Sequence, residues 1–136
     1  MTTLNQITEG LARRGRTIAG LSCYPVMHPN PTPPAMCVQG PVRWTYDETF
    51  DGTVRYVFQC WVLVNPANLT HAQQALFTYL APTGTPSLPA AIYDDPSLGD
   101  LVQDTKVLGG VGPPAQVNSD SGPLLGCALE VEVTAV

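Results

Sequence analysis

The stretch VRWTYDETFDGTVRYVFQCWVLVN, residues 42–65, decides the fold because it joins two β-rich runs through a turn signal. The runs cover 42–46 and 53–64, and the Asp51-Gly52 pair between them is typical of a tight hairpin turn. In the second run apolar side chains alternate, and the opposite face also becomes apolar towards the end of the run. A strand that is apolar on both faces is typical of a sheet centre covered on both sides. The sequence therefore predicts a long hairpin in the middle of a sheet, with its aromatic side chains in the core, namely Trp44, Tyr46, Tyr56, Phe58 and Trp61.

Helices are predicted on both sides of this hairpin. The first covers 3–14, where Thr3 can cap the helix and Gln6 can complete a capping box. A second helix opens at Asn68 and ends near Pro82, and a short third helix is plausible over 87–93. Apolar residues at helical spacing predict the buried stripe of the second helix: Leu69, Ala72, Ala75, Leu76, Phe77 and Leu80.

Further strands are predicted over 17–24, 35–40, 104–110 and 125–134, the last from a clear alternation of apolar and polar residues. The stretch 109–123 is rich in glycine and proline and is predicted to be a flexible or extended loop. Helices and strands are segregated along the chain rather than strictly alternating. This order predicts an α+β fold, a single domain over 1–136 with a mostly antiparallel sheet and helices packed on one face.

The stretch YPVMHPNPTPP, residues 24–34, places five prolines between two predicted strands. Proline cannot donate to a sheet ladder, so this segment must cross outside the sheet or leave it. Its stiffness suits a rigid crossover at the edge of the domain and equally suits an arm that a partner binds. The crossover is the interpretation we adopt, with a possible contact to a neighbouring subunit.

The composition indicates assembly rather than nucleic-acid binding. Hydrophobic residues make up 44% of the 136 residues and charged residues only 12%, about half of the usual ~25%. With so few charges, much of the surface is neutral, and burial against other subunits reconciles that surface with solubility. A net charge of −5 with six Lys and Arg argues against a general nucleic-acid binder.

The lack of an apolar targeting segment and the positions of the cysteines favour a reduced, intracellular setting. No run approaches the ~18–20 apolar residues of a membrane-spanning helix, and the N-terminal residues lack the apolar core of a signal peptide. The sequence thus predicts a protein that is neither exported nor held in a membrane. Each cysteine lies in an apolar or alternating run typical of a buried free thiol: Cys23, Cys37, Cys60 and Cys127.

The residue patterns favour neither an enzyme nor a metal protein. Cys23, His28 and Cys37 lie close in sequence but lack the spacing of a zinc site. Cys60 and His71 could form a nucleophile pair only if the fold joined them, and core packing explains Cys60 as well. Four carboxylates lack calcium-loop spacing and are expected to flank helices: Asp94, Asp95, Asp100 and Asp104. No catalytic, metal or cofactor-binding residue is therefore predicted, and no cofactor.

Several segments resemble the tail terminator proteins of long-tailed bacteriophages, especially those of phages that infect actinobacteria. The similar pieces run from residue 4 to residue 133: LNQITEGLARRGRTIAGLSCYP, GPVRWTYDETFDG, FQCWVLVN, AQQALFTYLAPTGTPSLPAAIYDDPSLG and LGCALEVEV. The fourth piece is the most specific. The family has no catalytic motif, so the resemblance is to a pattern of structure.

The resemblance implies a structural virion protein at the head-proximal end of the tail, assembled in the host cytoplasm. Such proteins form a ring, here expected to be a homohexamer, that stops polymerisation of the tail tube. The partners would be other copies of the chain, the tail tube protein and the head-to-tail connector protein. Genomic DNA could pass through the ring without sequence-specific recognition, and no membrane partner is expected.

Two regions are expected to supply ring or tube contacts. One is the hairpin tip, where an apolar side chain stands in a predicted turn: Glu48, Thr49, Phe50 and Asp51, followed by Gly52. The other is the 109–123 loop, which is too long for a simple connection, with Gly110, Val111 and Val117 as candidates. An equally weighted alternative is that Phe50 folds back on its own sheet.

Three arginines cluster at the end of the first predicted helix, where positive charge suits the helix dipole. Arg13, Arg14 and Arg16 could simply be solvated there. They could instead pair with carboxylates of a neighbouring subunit or line a channel for DNA.

Two other classes of function stay open. A head–tail joining protein is also a small ring-forming protein, and depletion would separate it from a terminator by leaving tails of normal length. A small ligand-binding domain or enzyme would need Cys60 or His71 in an open pocket with a strongly shifted pKa.

Overall fold

The computed structural model describes residues 3–46, 53–84, 87–120 and 122–135, with the backbone alone at 111 and 112. The chain forms three helices and five strands within these ranges. In chain order these are α1 (Leu4–Gly15), β1 (Ser22–Tyr24), β2 (Ala35–Tyr46), β3 (Val54–Val64), α2 (Leu69–Leu80), α3 (Leu88–Tyr93), β4 (Asp104–Ser119) and β5 (Gly122–Ala135).

The five strands form one sheet in the order β1-β2-β3-β5-β4. Three of its four strand pairs are antiparallel, and the short β1 runs parallel to β2. The predicted long hairpin is confirmed, and its second strand, β3, is the central strand of the sheet. The α+β prediction is confirmed as well, because the large core joins all three helices to one face of the sheet.

The strand β2 is longer than the sequence predicts. The two predicted runs 35–40 and 42–46 form one strand, interrupted by a bulge between Gln39 and Arg43. Pro41 lies inside this bulge, where the regular ladder is broken and a missing N–H costs no pairing. The hairpin is therefore a long ribbon whose outer half lies beyond the bulge.

The 109–123 loop prediction is wrong for most of its length. The segment belongs to β4 and to the start of β5, which pair as far as Ser119 and Gly122. Two bulges interrupt the pairing, one between Val107 and Gly109 and one between Val111 and Ala115, and the second contains Gly112, Pro113 and Pro114. A strand at the edge of a sheet has no partner on its outer side, so prolines are tolerated there.

The helix caps agree with the sequence. Thr3 and Gln6 form the predicted capping box of α1, and Asn68 caps α2 by accepting a bond from the N–H of His71 at 3.2 Å. The buried stripe of α2 is narrower than predicted, because only Ala72 and Leu76 are fully buried. The predictions for Leu69 and Phe77 are wrong, since more than half of each side chain is exposed.

The helices are fastened to the outer strands by polar side chains. The Tyr93 hydroxyl at the end of α3 accepts a bond from the N–H of Val107 at 3.0 Å and lies 3.4 Å from the carbonyl of the same residue. At the opposite edge of the sheet, Arg16 donates to the carbonyl of Cys23 in β1 at 3.3 Å. Both outer strands thus have main-chain groups bonded to helix-side residues.

The proline segment 25–34 links the parallel neighbours β1 and β2 and is therefore a crossover at the sheet edge, as predicted. It is held in place by the N–H of Thr32, which donates to the Tyr24 hydroxyl at 3.2 Å. The N–H of Asp120, beyond β4, donates to the carbonyl of Pro29 at 2.9 Å. The crossover thus runs across one end of the sheet, from β1 at one edge to the residue that follows β4 at the other edge.

A smaller core lies on the face of the sheet that carries no helix. Its four buried residues are Ala35, Cys37, Leu63 and Leu124, with Tyr24, Trp61 and Val117 packed against them. The indole N–H of Trp61 donates to the side-chain oxygen of Gln39 at 3.0 Å. Among the described residues, no helix is long and apolar enough to cross a membrane.

Candidate interaction surfaces

The three arginines are not equivalent in the structure. The Nε of Arg14 donates to the carbonyl of Ala91 at 3.0 Å, and its guanidinium lies 3.7 Å from the Asp94 carboxylate. Arg16 pairs with Glu9 at 2.6 Å in addition to its bond to β1. Two of the predicted contact residues thus fasten α1 to α3 and to β1.

Arg13 differs from its neighbours because it is exposed and makes no hydrogen bond or ion pair within the described part of the chain. Its guanidinium lies beside the turn at Gly99, 3.9 Å from the point where a Cβ would stand. Of the three arginines, Arg13 is therefore the one whose charge remains available to a neighbouring subunit.

The predicted tip residues Glu48, Thr49, Phe50 and Asp51, together with Gly52, lie outside the described residues. Their role as contacts stays a prediction. The structure does fix the position of their flanks, because Tyr46 pairs with Val54 in the last register of the hairpin.

The hairpin carries an exposed apolar surface that the sequence did not reveal. Val42, Trp44 and Tyr46 are alternate residues of β2 from the last residue of the bulge to the end of the strand, and their exposed fractions are 39%, 55% and 69%. We call these three residues the aromatic arm. The prediction that Trp44 and Tyr46 lie in the core is wrong, because the helices cover the part of the sheet before the bulge and leave this end bare. The signal available in the sequence was Pro41, which marks the bulge.

The β4 candidates are placed on the edge strand. Gly110 is exposed and pairs with Leu129, and the backbone of Val111 pairs with Ala128. Val117 is half-buried in the smaller core, so its side chain already has a partner in its own sheet. Their role as contacts also stays a prediction.

An open cleft of about 520 Å³ lies between α2 and the proline crossover. The lining contains no Asp, Glu, Lys or Arg, and most of its residues are apolar: Pro33, Pro34, Val64, Asn65, Ala67, Asn68, His71, Ala72, Ala75 and Tyr79. Burial raises the pKa of the Tyr79 hydroxyl, with a smaller contribution from Cys23. We call this feature the proline cleft. It depends on a contact between segments far apart in sequence, which no local pattern signals.

The residues considered for chemistry do not come together. Cys60 is fully buried in the larger core, and burial raises its pKa to about 12, whereas His71 is exposed on α2. Burial also raises the pKa of the Cys37 thiol, and a hydrogen bond with the backbone of His28 lowers it by a smaller amount. Within the described residues no group of three or more His, Cys, Asp or Glu side chains could hold a metal ion.

Comparison with known proteins adds no family. A scan against protein-family models finds no match for this chain, and a search of curated proteins finds none either.

Proposed function

We propose that this chain is a structural virion protein that forms a ring at the head-proximal end of a bacteriophage tail tube. The ring ends polymerisation of the tube and offers the surface on which the head connector docks. The resemblance of segments from residue 4 to residue 133 supports this role. Assembly takes place in the host cytoplasm, and the finished protein resides in the virion.

The observation that carries the proposal is the aromatic arm. A small chain with 12% charged residues exposes a valine, a tryptophan and a tyrosine side by side at the end of a rigid ribbon. Tryptophan and tyrosine are enriched at the energetic centres of protein interfaces. A contiguous apolar surface of this kind on a small domain is typical of a subunit that is buried in an assembly.

The mechanism is occlusion of a polymerising surface. One face of the ring binds the last ring of the tube protein, and the other face accepts the connector but no further tube subunit. Head-to-tail contacts between copies close the ring, since heterologous interfaces give rings when their rotation closes. Genomic DNA could pass through the central opening without base-specific contacts.

The experiment that tests the function is negative-stain electron microscopy of lysates in which the gene is silenced. Tails of uncontrolled length, separate from filled heads, are the expected result. Loose tails of normal length would instead assign the protein to head–tail joining. Intact infectious particles would contradict both roles.

Complementation of the silenced gene then tests the contact residues. Phe50→Asp is expected to impair tail completion while leaving the monomer folded, because it places a charge on an expected interface. A matched comparison is Arg13→Glu against a wild-type copy, since Arg13 is the arginine without an intramolecular partner among the described residues. Normal tail completion by either variant would remove that residue from the interface.

A further inference from the structure

We infer that the aromatic arm of one copy docks into the proline cleft of a second copy, so that the subunits join head to tail. The contact deepens the proposed function and rests on it only for the closure of successive contacts into a ring. The occupant of the cleft is thus a second copy of this chain.

The two surfaces lie at opposite ends of the same pair of strands. Pro34 in the cleft immediately precedes Ala35, and Val64 in the cleft ends β3. Tyr46 stands at the other end of β2, eleven residues from Ala35, which corresponds to about 35 Å of strand. Because β2 pairs with β3 at both ends of this length, the arm cannot reach the cleft of its own chain while the pairing is kept. An arm in the cleft must therefore come from another molecule.

The chemistry of the two surfaces matches. The indole of Trp44 and the phenol of Tyr46 are flat and apolar, each with one polar donor, and the cleft presents two proline rings and small apolar side chains. The imidazole of His71 lines the cleft, is exposed and makes no side-chain hydrogen bond within the described part of the chain. It could accept a bond from the indole N–H or the phenol O–H.

The size and charge of the cleft also suit this occupant. Its volume of about 520 Å³ falls within the ~300–1,000 Å³ of typical binding pockets, and one or two aromatic side chains fit such a space. Neither the cleft lining nor the aromatic arm contains an Asp, Glu, Lys or Arg residue. Docking therefore buries no carboxylate, ammonium or guanidinium group, whose desolvation is the cost that weakens many buried ion pairs.

The direction of the contact predicts its geometry. An arm and a cleft are different surfaces, so the contact is heterologous and each bound copy presents a free arm or a free cleft to the next. A two-fold dimer would need both surfaces to meet reciprocally.

Cross-linking of two proteins that each carry one introduced cysteine tests the contact and its direction. One protein carries Val42→Cys on the arm and keeps Trp44 and Tyr46, and the other carries Ala75→Cys in the cleft. A matched control replaces the first protein by Thr45→Cys, which lies on the same strand but on its opposite face. The native thiols are buried and should not interfere: Cys23, Cys37, Cys60 and Cys127. Circular dichroism checks that each variant is folded.

Under mild oxidation at millimolar protein, the Val42→Cys and Ala75→Cys mixture is expected to give a mixed dimer at least about tenfold more abundant than the control mixture. A protein that carries both substitutions is expected to give a ladder of higher oligomers. No mixed dimer above the control level would overturn the contact, and so would equal yields from both mixtures.

The contact and the proposed function fail separately. A mixed dimer together with normal tails after silencing would keep the contact and remove the terminator role. Overlong tails after silencing, with no mixed dimer, would keep the role and assign the ring contact to other surfaces.

Discussion

Gly126 in β5 stands where side chains from two other strands converge over the smaller core. A Cβ at this position would lie 2.6 Å from Cδ2 of Leu63 and 3.0 Å from Cγ2 of Val117. Leu63 is buried, and Val117 is branched at Cβ, so neither side chain can move away freely. The residue is glycine because the space above it is already filled.

Gly126→Ala is therefore expected to lower the free energy of unfolding by about 1–3 kcal/mol through overpacking. Gly40→Ala is the matched control, since a Cβ there would meet nothing within 4 Å. Urea denaturation of both variants measures the difference. An unchanged midpoint for Gly126→Ala would mean that the smaller core is looser than the structure indicates.

Because of the buried thiols, the free energy of unfolding is expected to decrease at alkaline pH. Burial raises the pKa of Cys60 to about 12 and that of Cys23 to about 11, from an ordinary value of 9.0. Above about pH 9 the unfolded chain releases these protons while the folded chain retains them. The unfolded state then binds fewer protons, so stability is full below pH 9 and is lost as the pH rises towards 11–12.

Between pH 8 and pH 10.5, Cys60 alone is expected to contribute a loss of about 2 kcal/mol. Cys60→Ala should be less stable than the wild type at pH 8, because a buried group is removed, but should lose less stability on going to pH 10.5. Denaturant unfolding of both proteins at the two pH values measures this. Parallel losses in the two proteins would contradict the assignment to Cys60.

At the scale of elements, the local signals in the sequence were reliable and the tertiary ones were not. Caps at Thr3 and Asn68, and the centre of the sheet at β3, followed from residue spacing because each depends on neighbours in sequence. The first part of β4 was predicted over 104–110, but the rest of the strand was missed because its glycines and prolines resemble a loop until β5 is placed beside it. The bare end of the hairpin was missed for a related reason, since periodicity cannot show where a helical layer stops.

The candidate site was the least predictable part of the molecule. The aromatic arm and the proline cleft are each defined by what other segments do or do not cover. Composition indicated a surface poor in charge, but not where its apolar part lies. The sequence thus predicted that the surface is poor in charge, and the structure shows where its apolar part lies.

The short helix α3 depends on its cap more than the longer helices do. Ser87 is buried, its hydroxyl donates to the carbonyl of Ala81, and it accepts the N–H of Ala90 at 3.1 Å. With only six residues, α3 has few internal hydrogen bonds to compensate for the loss of these contacts.

Ser87→Ala is expected to cost about 1–2 kcal/mol of stability through the lost cap and the unpaired Ala81 carbonyl. Thr78→Ala serves as control, because that hydroxyl is exposed and bonds only to the carbonyl of Gln74 in its own helix. Thermal unfolding compares the two variants. Equal and small shifts would mean that packing, and not the cap, holds α3 in place.

For the whole molecule, the low charge sets the salt dependence expected of the proposed contact between copies. The aromatic arm and the proline cleft contain no Asp, Glu, Lys or Arg, whereas association through Arg13 and carboxylates would be electrostatic. Salt screens contacts between exposed charges and leaves apolar contacts intact or slightly stronger.

Self-association is therefore expected to change by less than about twofold between 0.1 and 0.5 M sodium chloride. Sedimentation velocity over this range measures it, with Trp44→Ser as the variant expected to remain monomeric. A steep loss of association with salt would assign the contact to the arginines and their acidic partners.

The hydroxyl of Tyr93 at Val107 and the guanidinium of Arg16 at Cys23 have a consequence for aggregation. Free main-chain groups on an outer strand can serve as a template for strands of other chains, and such pairing leads to fibrils. These two side chains bind main-chain groups of the two edge strands, so those groups cannot pair with another chain. The prolines of β4 interrupt the rest of that strand. Tyr93→Phe should leave the fold intact but expose the N–H and carbonyl of Val107, and thioflavin fluorescence should then rise sooner than in the wild type on prolonged incubation. Equal lag times would mean that the prolines alone suffice. If copies join through the proposed contact of arm and cleft, these side chains keep them from joining through their strands instead.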